Sequence, residues 1–180
     1  MERLDDWQYD ANVHSRERFC AAHTHPVLLL RWIVKGELGA AGRGQSTHVH
    51  NVRASLKDRL AAGNQVPERR PIGQERLLPI RQEPVGPRPG LFLMGRRADS
   101  DVCVNDYTVS SRHGRIHYVK RIGRWMYEDV GSTNGSWING SRAPVRERAL
   151  IASTDELQLG RLVFLFLEPQ DLHRYLIGDY

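Results

Sequence analysis

The chain has 180 residues, of which 40% are hydrophobic, and this length suits one domain with an appendage or two very small domains. No segment approaches the roughly 20 consecutive apolar residues that a membrane-spanning helix needs, which argues against a membrane protein. The net charge is +5, but the 26 basic residues are scattered without a Lys/Arg block, which argues against a nucleic-acid-binding protein.

The N-terminal residues predict a cytoplasmic location. A secretory signal begins with a basic segment followed by an apolar one, whereas this chain begins with Glu2, Asp5 and Asp6 among its first residues. The two cysteines, Cys20 and Cys103, are too few for a disulfide framework, so we expect both thiols to be reduced.

Residues 1–66 are expected to be a partly helical region of unassigned function. Ser15 has the position of an N-cap for a helix that continues to Ala22. The apolar run of residues 27–34 is either a buried strand or a helix, because its periodicity favours neither. Residues 48–62 carry apolar side chains at helical spacing, which predicts an amphipathic helix.

Six of the nine prolines lie between Gly63 and Gly90 and mark a change in organisation. We therefore expect a boundary in this segment, with residues 1–66 on one side and a domain of residues 73–170 on the other, followed by a short helix or tail over residues 171–180. Within the proline-rich segment, an apolar run that contains one proline is typical of the edge strand that opens such a domain.

From residue 91 onward, short segments of alternating apolar and polar residues follow one another at close spacing, separated by Gly, Asn and Pro. This pattern predicts a mainly β protein, an antiparallel β-sandwich. The predicted strands cover residues 91–94, 101–104, 115–120, 124–129, 136–138, 156–159 and 162–167. Asn139-Gly140 predicts a tight hairpin turn, and Pro169-Gln170-Asp171 predicts the start of a short C-terminal helix.

Three short polar clusters lie between these strands. They are Gly95-Arg96, Val109-Ser110-Ser111-Arg112-His113, and the stretch from Gly131 to Ile138. Together they supply a guanidinium, several hydroxyls and a side-chain amide, but no nucleophile beside an obvious base. Such a set suits the binding of an oxyanion rather than its chemical conversion.

The order and spacing of these clusters resemble the forkhead-associated (FHA) family of phosphothreonine-binding domains. The matching series is Gly95-Arg96, Asp101-Val102, Val109-Ser110, His113, Ser132-Thr133-Asn134-Gly135, Asn139-Gly140, Asp155-Glu156-Leu157 and Leu159-Gly160. The whole series in one order is far more specific than any of its members, and it covers roughly the last 105 residues. The resemblance implies a β-sandwich that recognises phosphothreonine.

The resemblance also implies which residues bind the ligand. Arg96 is the cation, whose planar fork engages two phosphate oxygens. Ser110 donates from its hydroxyl and its backbone amide, and Ser111 is a possible further contact at a position where the family often has arginine or asparagine. Thr133 supports the phosphate site, and the Asn134 side chain binds the main chain of the ligand.

A second set of residues is implied to support the pocket or to select the ligand. Gly95 and Gly135 serve the backbone, and His113 braces neighbouring loops from within instead of acting as a base. Tyr107 and Thr108 are placed to select the side chain three positions after the phosphothreonine.

These features predict a non-enzymatic cytoplasmic adaptor that uses no cofactor and no metal. Its partner is a phosphothreonine-containing segment of a Ser/Thr kinase substrate or of the kinase itself. One alternative is a phosphate-independent scaffold built on the same sandwich. A second alternative is a metal enzyme. Its candidate ligands are Cys20, His23, His25, His48 and His50, but their spacing lacks a compact zinc-site pattern.

Overall fold

The computed structural model describes residues 2–34, 68–69, 76–81 and 90–179. Within them the strands are β1 Glu2–Arg3, β2 Val27–Ile33, β3 Glu68–Arg69, β4 Arg76–Pro79, β5 Leu91–Gly95, β6 Val102–Cys103, β7 Gly114–Val119, β8 Arg124–Asp129, β9 Ser136–Ile138, β10 Ser141–Arg142, β11 Arg148–Ile151, β12 Glu156–Leu159 and β13 Leu162–Leu167. The helices are α1 Leu4–Val13, α2 Arg16–Ala22 and α3 Pro169–Leu176. The helix predicted over residues 48–62 lies outside the described residues. No helix among the described residues is long and apolar enough to cross a membrane.

The described strands form two sheets that face each other, which confirms the predicted β-sandwich. The first sheet has the order β1-β4-β2-β13-β12-β9-β10, with β3 also paired to β2. The second sheet has the order β11-β8-β7-β5-β6. Neighbouring strands run antiparallel except β5 and β6, which are parallel, so the second sheet is mixed.

The main core fills the space between the two sheets. On β2, Leu28 and Leu30 point into this core, where they meet Phe164 and Phe166 of β13. The second sheet contributes residues such as Ile116, which is fully buried. The alternation seen in the sequence follows from this geometry, because every second side chain of a strand faces the opposite sheet.

A second apolar cluster lies on the outer face of the first sheet, under the three described helices. Trp7 of α1, Phe19 of α2 and Leu172 of α3 pack there against sheet residues such as Leu29 and Leu167. All six residues of β13 are therefore buried, because one face meets the other sheet and the opposite face meets the helices.

The helix starts partly follow the sequence prediction. Ser15 is the N-cap of α2, and its hydroxyl accepts the backbone N–H of Arg18 at 3.4 Å, as expected from the sequence. The C-terminal helix begins at Pro169, again as expected, but its N-cap is Glu168, which makes no side-chain capping bond.

The apolar run that begins at Val27 is a strand, which settles the choice that periodicity left open. β2 lies between β4 and β13, with Leu28 opposite Leu78 and Leu162 opposite Ile33. The first sheet therefore includes β1 and β2, which lie on the N-terminal side of the boundary that the proline-rich segment suggests near residue 73. The described part of residues 1–66 thus supplies two strands of this sheet and two helices that cover its outer face.

The loops of the sandwich lie at two ends. Asn139 and Gly140 form the predicted hairpin turn between β9 and β10 at one end, and both have a positive φ, at 49° and 79°. The loops β5–β6, β6–β7, β8–β9, β10–β11 and β12–β13 share the other end, and backbone hydrogen bonds join them, for example from Gly160 to Gly135 and from Arg146 to Asp129.

Candidate functional site

Arg96 opens the β5–β6 loop and lies exposed at this end of the sandwich. Its backbone N–H donates to the Ser110 carbonyl oxygen at 3.0 Å, and its side-chain Nε donates to the Val109 carbonyl oxygen at 3.3 Å. The two terminal nitrogens of the guanidinium have no partner among the described residues. The charged end of Arg96 is thus held beside the β6–β7 loop with donors to spare.

Gly95 allows this close approach of the two loops. A Cβ at this position would lie 2.3 Å from the Ser111 carbonyl oxygen, so any side chain would push the β6–β7 loop away. The glycine before Arg96 is therefore needed for packing of the loops and not for contact with a ligand.

Ser110 and Thr133 bring the β6–β7 and β8–β9 loops together. The Thr133 backbone N–H donates to Ser110 Oγ at 3.0 Å, and the two side-chain oxygens lie 3.3 Å apart. Thr133 is exposed and Ser110 is half-buried, so both hydroxyls face the surface next to Arg96. The structure thus places these three predicted residues on adjoining loops.

His113 is fully buried and joins three segments of the site. Its Nδ1 accepts the Ser110 backbone N–H at 3.1 Å, and its Nε2 donates to the Gly135 carbonyl oxygen at 3.2 Å. Burial lowers the pKa of His113, which favours the neutral ring that this pattern needs. The Ser110 amide, which the resemblance assigns to phosphate, is therefore already donated to His113.

Asn134 has one free acceptor inside the site. Its Nδ2 donates to the Thr108 carbonyl oxygen at 2.8 Å, while Oδ1 is buried and has no hydrogen-bond partner among the residues that the structure describes. A buried carbonyl oxygen without a partner is costly unless a ligand or water supplies a donor.

The β8–β9 turn is organised by Asp129, which sequence reasoning did not single out. Its buried carboxylate accepts the backbone N–H groups of Gly131 and Ser132 and the hydroxyls of Ser132 and Ser136. Burial by itself raises the pKa of Asp129, but these hydrogen bonds lower it by more. The pKa of Asp129 therefore lies below its usual value. An aspartate at a strand end, two residues before Gly131-Ser132, was the available signal, because such carboxylates commonly bond to backbone amides two or three residues later.

Tyr107 and Thr108 have different environments, although the sequence paired them as selectivity residues. Thr108 is only 1% exposed, and its hydroxyl donates to Asp106 at 2.6 Å and accepts the Arg161 backbone N–H at 3.1 Å. Its side chain therefore holds loops together and presents no surface to a ligand. Tyr107 is exposed, and the Arg161 guanidinium lies over its ring at 4.5 Å.

Ser111 is exposed at the rim, and its carbonyl oxygen accepts the Arg97 backbone N–H at 3.4 Å. A serine hydroxyl reaches less far than the longer side chains that the family resemblance places there.

Gly135 has φ of +83°, a conformation that favours glycine and lets the turn close behind Asn134.

The histidines and Cys20 form no metal site in the described part of the chain. No group of three or more His, Cys, Asp or Glu side chains there has a suitable arrangement. His23 instead lies 3.1 Å from Asp10 and packs between the rings of Trp7 and Phe19. His48 and His50 lie outside the described residues.

Comparison with known proteins adds the following matches. The family model of the FHA domain matches residues 92–160, a span that contains all the site residues named above. Glycogen accumulation regulator GarA of Mycolicibacterium smegmatis is 41% identical over 73 residues, which are 41% of this chain and 43% of that protein. The oxoglutarate dehydrogenase inhibitor of Corynebacterium diphtheriae is 38% identical over 74 residues, which are 41% of this chain and 48% of that protein. The match thus spans less than half the length of these curated relatives.

Comparison with solved structures also returned a match. The N-terminal FHA domain from S. cerevisiae Rad53p, in complex with a phosphothreonine peptide, is 21% identical with a TM-score of 0.45. The superposition covers 57% of this chain and 92% of that one.

Proposed function

Because residues 92–160 are a forkhead-associated domain, we propose that this protein binds phosphothreonine in an extended segment of a partner and acts as an adaptor in Ser/Thr kinase signalling. The partner is a substrate of such a kinase or the kinase itself. The compartment in which this happens is the cytoplasm, where kinases and their ATP are found.

The position of the Arg96 guanidinium is the single observation that carries the proposal. Its Nε is anchored to the Val109 carbonyl oxygen, and its terminal nitrogens have no partner among the described residues. The Arg96 backbone N–H bonds to the Ser110 carbonyl oxygen, and the Ser110 hydroxyl lies 3.3 Å from that of Thr133, so the guanidinium belongs to the same group of loops. A phosphothreonine carries nearly two negative charges and three acceptor oxygens. A fixed cation with two neighbouring hydroxyls matches that ligand, because each contact is a charge-assisted hydrogen bond.

Asn134 gives a reason for recognition of a peptide and not of free phosphate. Its Oδ1 is buried and has no hydrogen-bond partner among the described residues, and it can accept a main-chain N–H of an extended segment once the side chain turns toward the surface. Such a contact would supply the donor that this oxygen lacks.

The pocket is suited to binding and not to catalysis. His113 is the base closest to Ser110, but both of its ring nitrogens are already used to hold loops. A serine activated as a nucleophile needs a base that accepts its hydroxyl proton, and Ser110 Oγ instead accepts the Thr133 amide. The curated relatives are named a regulator and an inhibitor, which also fits a binding role.

The proposal is tested by titrating the full chain with a phosphothreonine peptide and with the same peptide unphosphorylated. We expect measurable affinity for the first and none for the second under the same conditions. A third peptide with phosphoserine should bind more weakly, because burial of the missing methyl group alone is worth about 0.8 kcal/mol. Equal binding of the phosphorylated and unphosphorylated peptides would overturn the proposal in favour of a phosphate-independent scaffold.

A further inference from the structure

Two arginines outside the motif lie against the turn that carries Thr133 and Asn134. They are Arg142, the last residue of β10, and Arg146, in the β10–β11 loop. Both are exposed, and neither side chain forms an ion pair or a hydrogen bond with any residue that the structure describes. By contrast, Arg161 at the same end of the sandwich is paired with Asp106 at 2.7 Å.

Arg142 is held on one side of the turn. Its guanidinium lies 5.9 Å from the centroid of the Trp137 ring, within the range of a cation–π contact. A Cβ at Gly135 would lie 3.3 Å from its Nη2, so the charged group lies close to the turn. The guanidinium is therefore placed beside the residue that follows Asn134.

Arg146 is held on the other side by an unusual backbone conformation. Its φ is +60°, which non-glycine residues rarely adopt, and its N–H donates to the Asp129 carbonyl oxygen at 2.7 Å. A Cβ at Gly131 would lie 4.0 Å from its Nε and Nη2. Such strained positions tend to persist where they serve a function.

These placements bring two positive charges close to the proposed phosphothreonine pocket. Gly131 and Gly135 each stand two residues from Thr133, a separation of at most about 7 Å along the chain. An extended ligand advances about 3.3 Å per residue, so side chains one to three residues from the phosphothreonine reach this region. Glu147 is exposed next to Arg146 but forms no ion pair with it within the described structure.

We propose that Arg142 and Arg146 form a second anion-binding site, which takes an acidic or phosphorylated side chain of the same segment that carries the phosphothreonine. The inference rests on the proposed function and deepens it, since it names the charge that the partner carries beside its phosphorylated residue. Planar guanidinium groups suit both sources of anion, because carboxylate and phosphate each present two oxygens to one fork.

The test compares three phosphothreonine peptides. The first has neutral flanking residues, the second has carboxylates at the flanking positions, and the third has a second phosphorylated residue. They are titrated against the full chain and the double variant Arg142→Ala, Arg146→Gly. Glycine at position 146 accepts φ of +60° without strain, so the change removes the charge and keeps the loop. Arg121→Ala is the matched control, because this exposed arginine lies in the β7–β8 turn at the opposite end of the sandwich.

We expect wild type and Arg121→Ala to bind at least one anionic peptide with an affinity at least about threefold higher than that for the neutral peptide. Two exposed ion pairs together contribute a free energy of this size. The double variant should lose this preference and keep its affinity for the neutral peptide. A preference for the carboxylate peptide identifies acidic residues as the source of the anion, and a preference confined to the doubly phosphorylated one identifies a second phosphate.

Equal affinity of wild type for all three peptides would overturn the second site while leaving the proposed function intact. An equal loss for all three peptides in the double variant would also overturn it, because the arginines would then serve the phosphothreonine itself. Failure of all three phosphothreonine peptides to bind wild type would refute the proposed function, and the second site with it.

Discussion

The backbone N–H of Ser110 donates to Nδ1 of His113 at 3.1 Å, so the residue proposed to contact phosphate is fixed from behind by a buried ring. The other ring nitrogen holds Gly135 on the next loop. Only a neutral imidazole with its proton on Nε2 makes both bonds. The arrangement of the pocket therefore depends on the protonation state of His113.

Lowering the pH should reduce the free energy of unfolding, because His113 is buried as a neutral ring. Burial lowers the pKa of His113, so the unfolded chain takes up a proton at higher pH than the folded one. The stability that the neutral ring contributes is fully present above about pH 6.5 and is lost as the pH falls through the lowered folded pKa. We expect the free energy of unfolding of wild type, measured in urea, to decrease between about pH 7.5 and pH 5 more steeply than that of His113→Ala.

His113→Ala should also lower the melting temperature and the peptide affinity at neutral pH. His117→Ala is a useful control, since burial lowers the pKa of His117 as well but this residue lies on β7 away from the pocket loops. It should affect the stability and leave the peptide affinity unchanged. Parallel pH dependences in wild type and His113→Ala would contradict the role of His113.

Loss of the Arg96 guanidinium should weaken phosphopeptide binding without unfolding the protein. A hydrogen bond to a charged group contributes about 1.5–3 kcal/mol, so Arg96→Ala should lower the affinity at least about tenfold in calorimetric titration. The neighbouring Arg97 is already paired with Asp99 at 2.6 Å, and Arg97→Ala should bind as wild type does. Similar losses in both variants would indicate a general effect of surface charge.

Asn134→Ala should reduce affinity because it removes the acceptor proposed for the ligand main chain. One such hydrogen bond contributes about 0.5–1.5 kcal/mol, which corresponds to about two- to twelvefold in the dissociation constant. N-methylation of the peptide bond next to the phosphothreonine removes the matching donor. It should weaken binding to wild type but have little further effect on Asn134→Ala, and additive losses would argue against this contact.

Deletion of residues 1–34 should abolish cooperative folding. The deletion removes β2, whose backbone pairs with β4 and β13, and it uncovers the outer cluster around Leu167. A chain that starts near residue 73, as the proline-rich segment would suggest, has the same defect. Thermal melting followed by near-UV circular dichroism provides the measurement, with Tyr9→Ala, at a 69% exposed side chain, as a variant expected to melt normally.

The sequence predicts most of the sandwich because the strands after residue 90 alternate. It leaves β2 undecided for a physical reason: Leu28 and Leu30 face the other sheet, while Val27 and Leu29 face the helices, so all four are buried and no alternation remains. β11 was missed because only Ile151 of its four residues is buried, as is usual at a sheet edge.

The site was predicted where its residues follow a motif and missed where tertiary contacts decide. The motif gives Arg96 and Ser110, which the structure places on adjoining loops. It does not give Asp129, or the role proposed for Arg146, because both depend on how the β8–β9 and β10–β11 loops fold. Thr108 shows the reverse error, since its place next to Tyr107 in the sequence hides its burial.

The position of β2 in the sheet also affects how the chain is made. Synthesis produces Val27–Ile33 before every described strand that pairs with it, and its longest ladder forms only after Leu162–Leu167 has left the ribosome. Until then a strand that is apolar on both faces keeps an open edge, which invites aggregation. Pairings between such distant segments also slow folding. We therefore expect the nascent chain to depend on protection by chaperones until its last strand is complete.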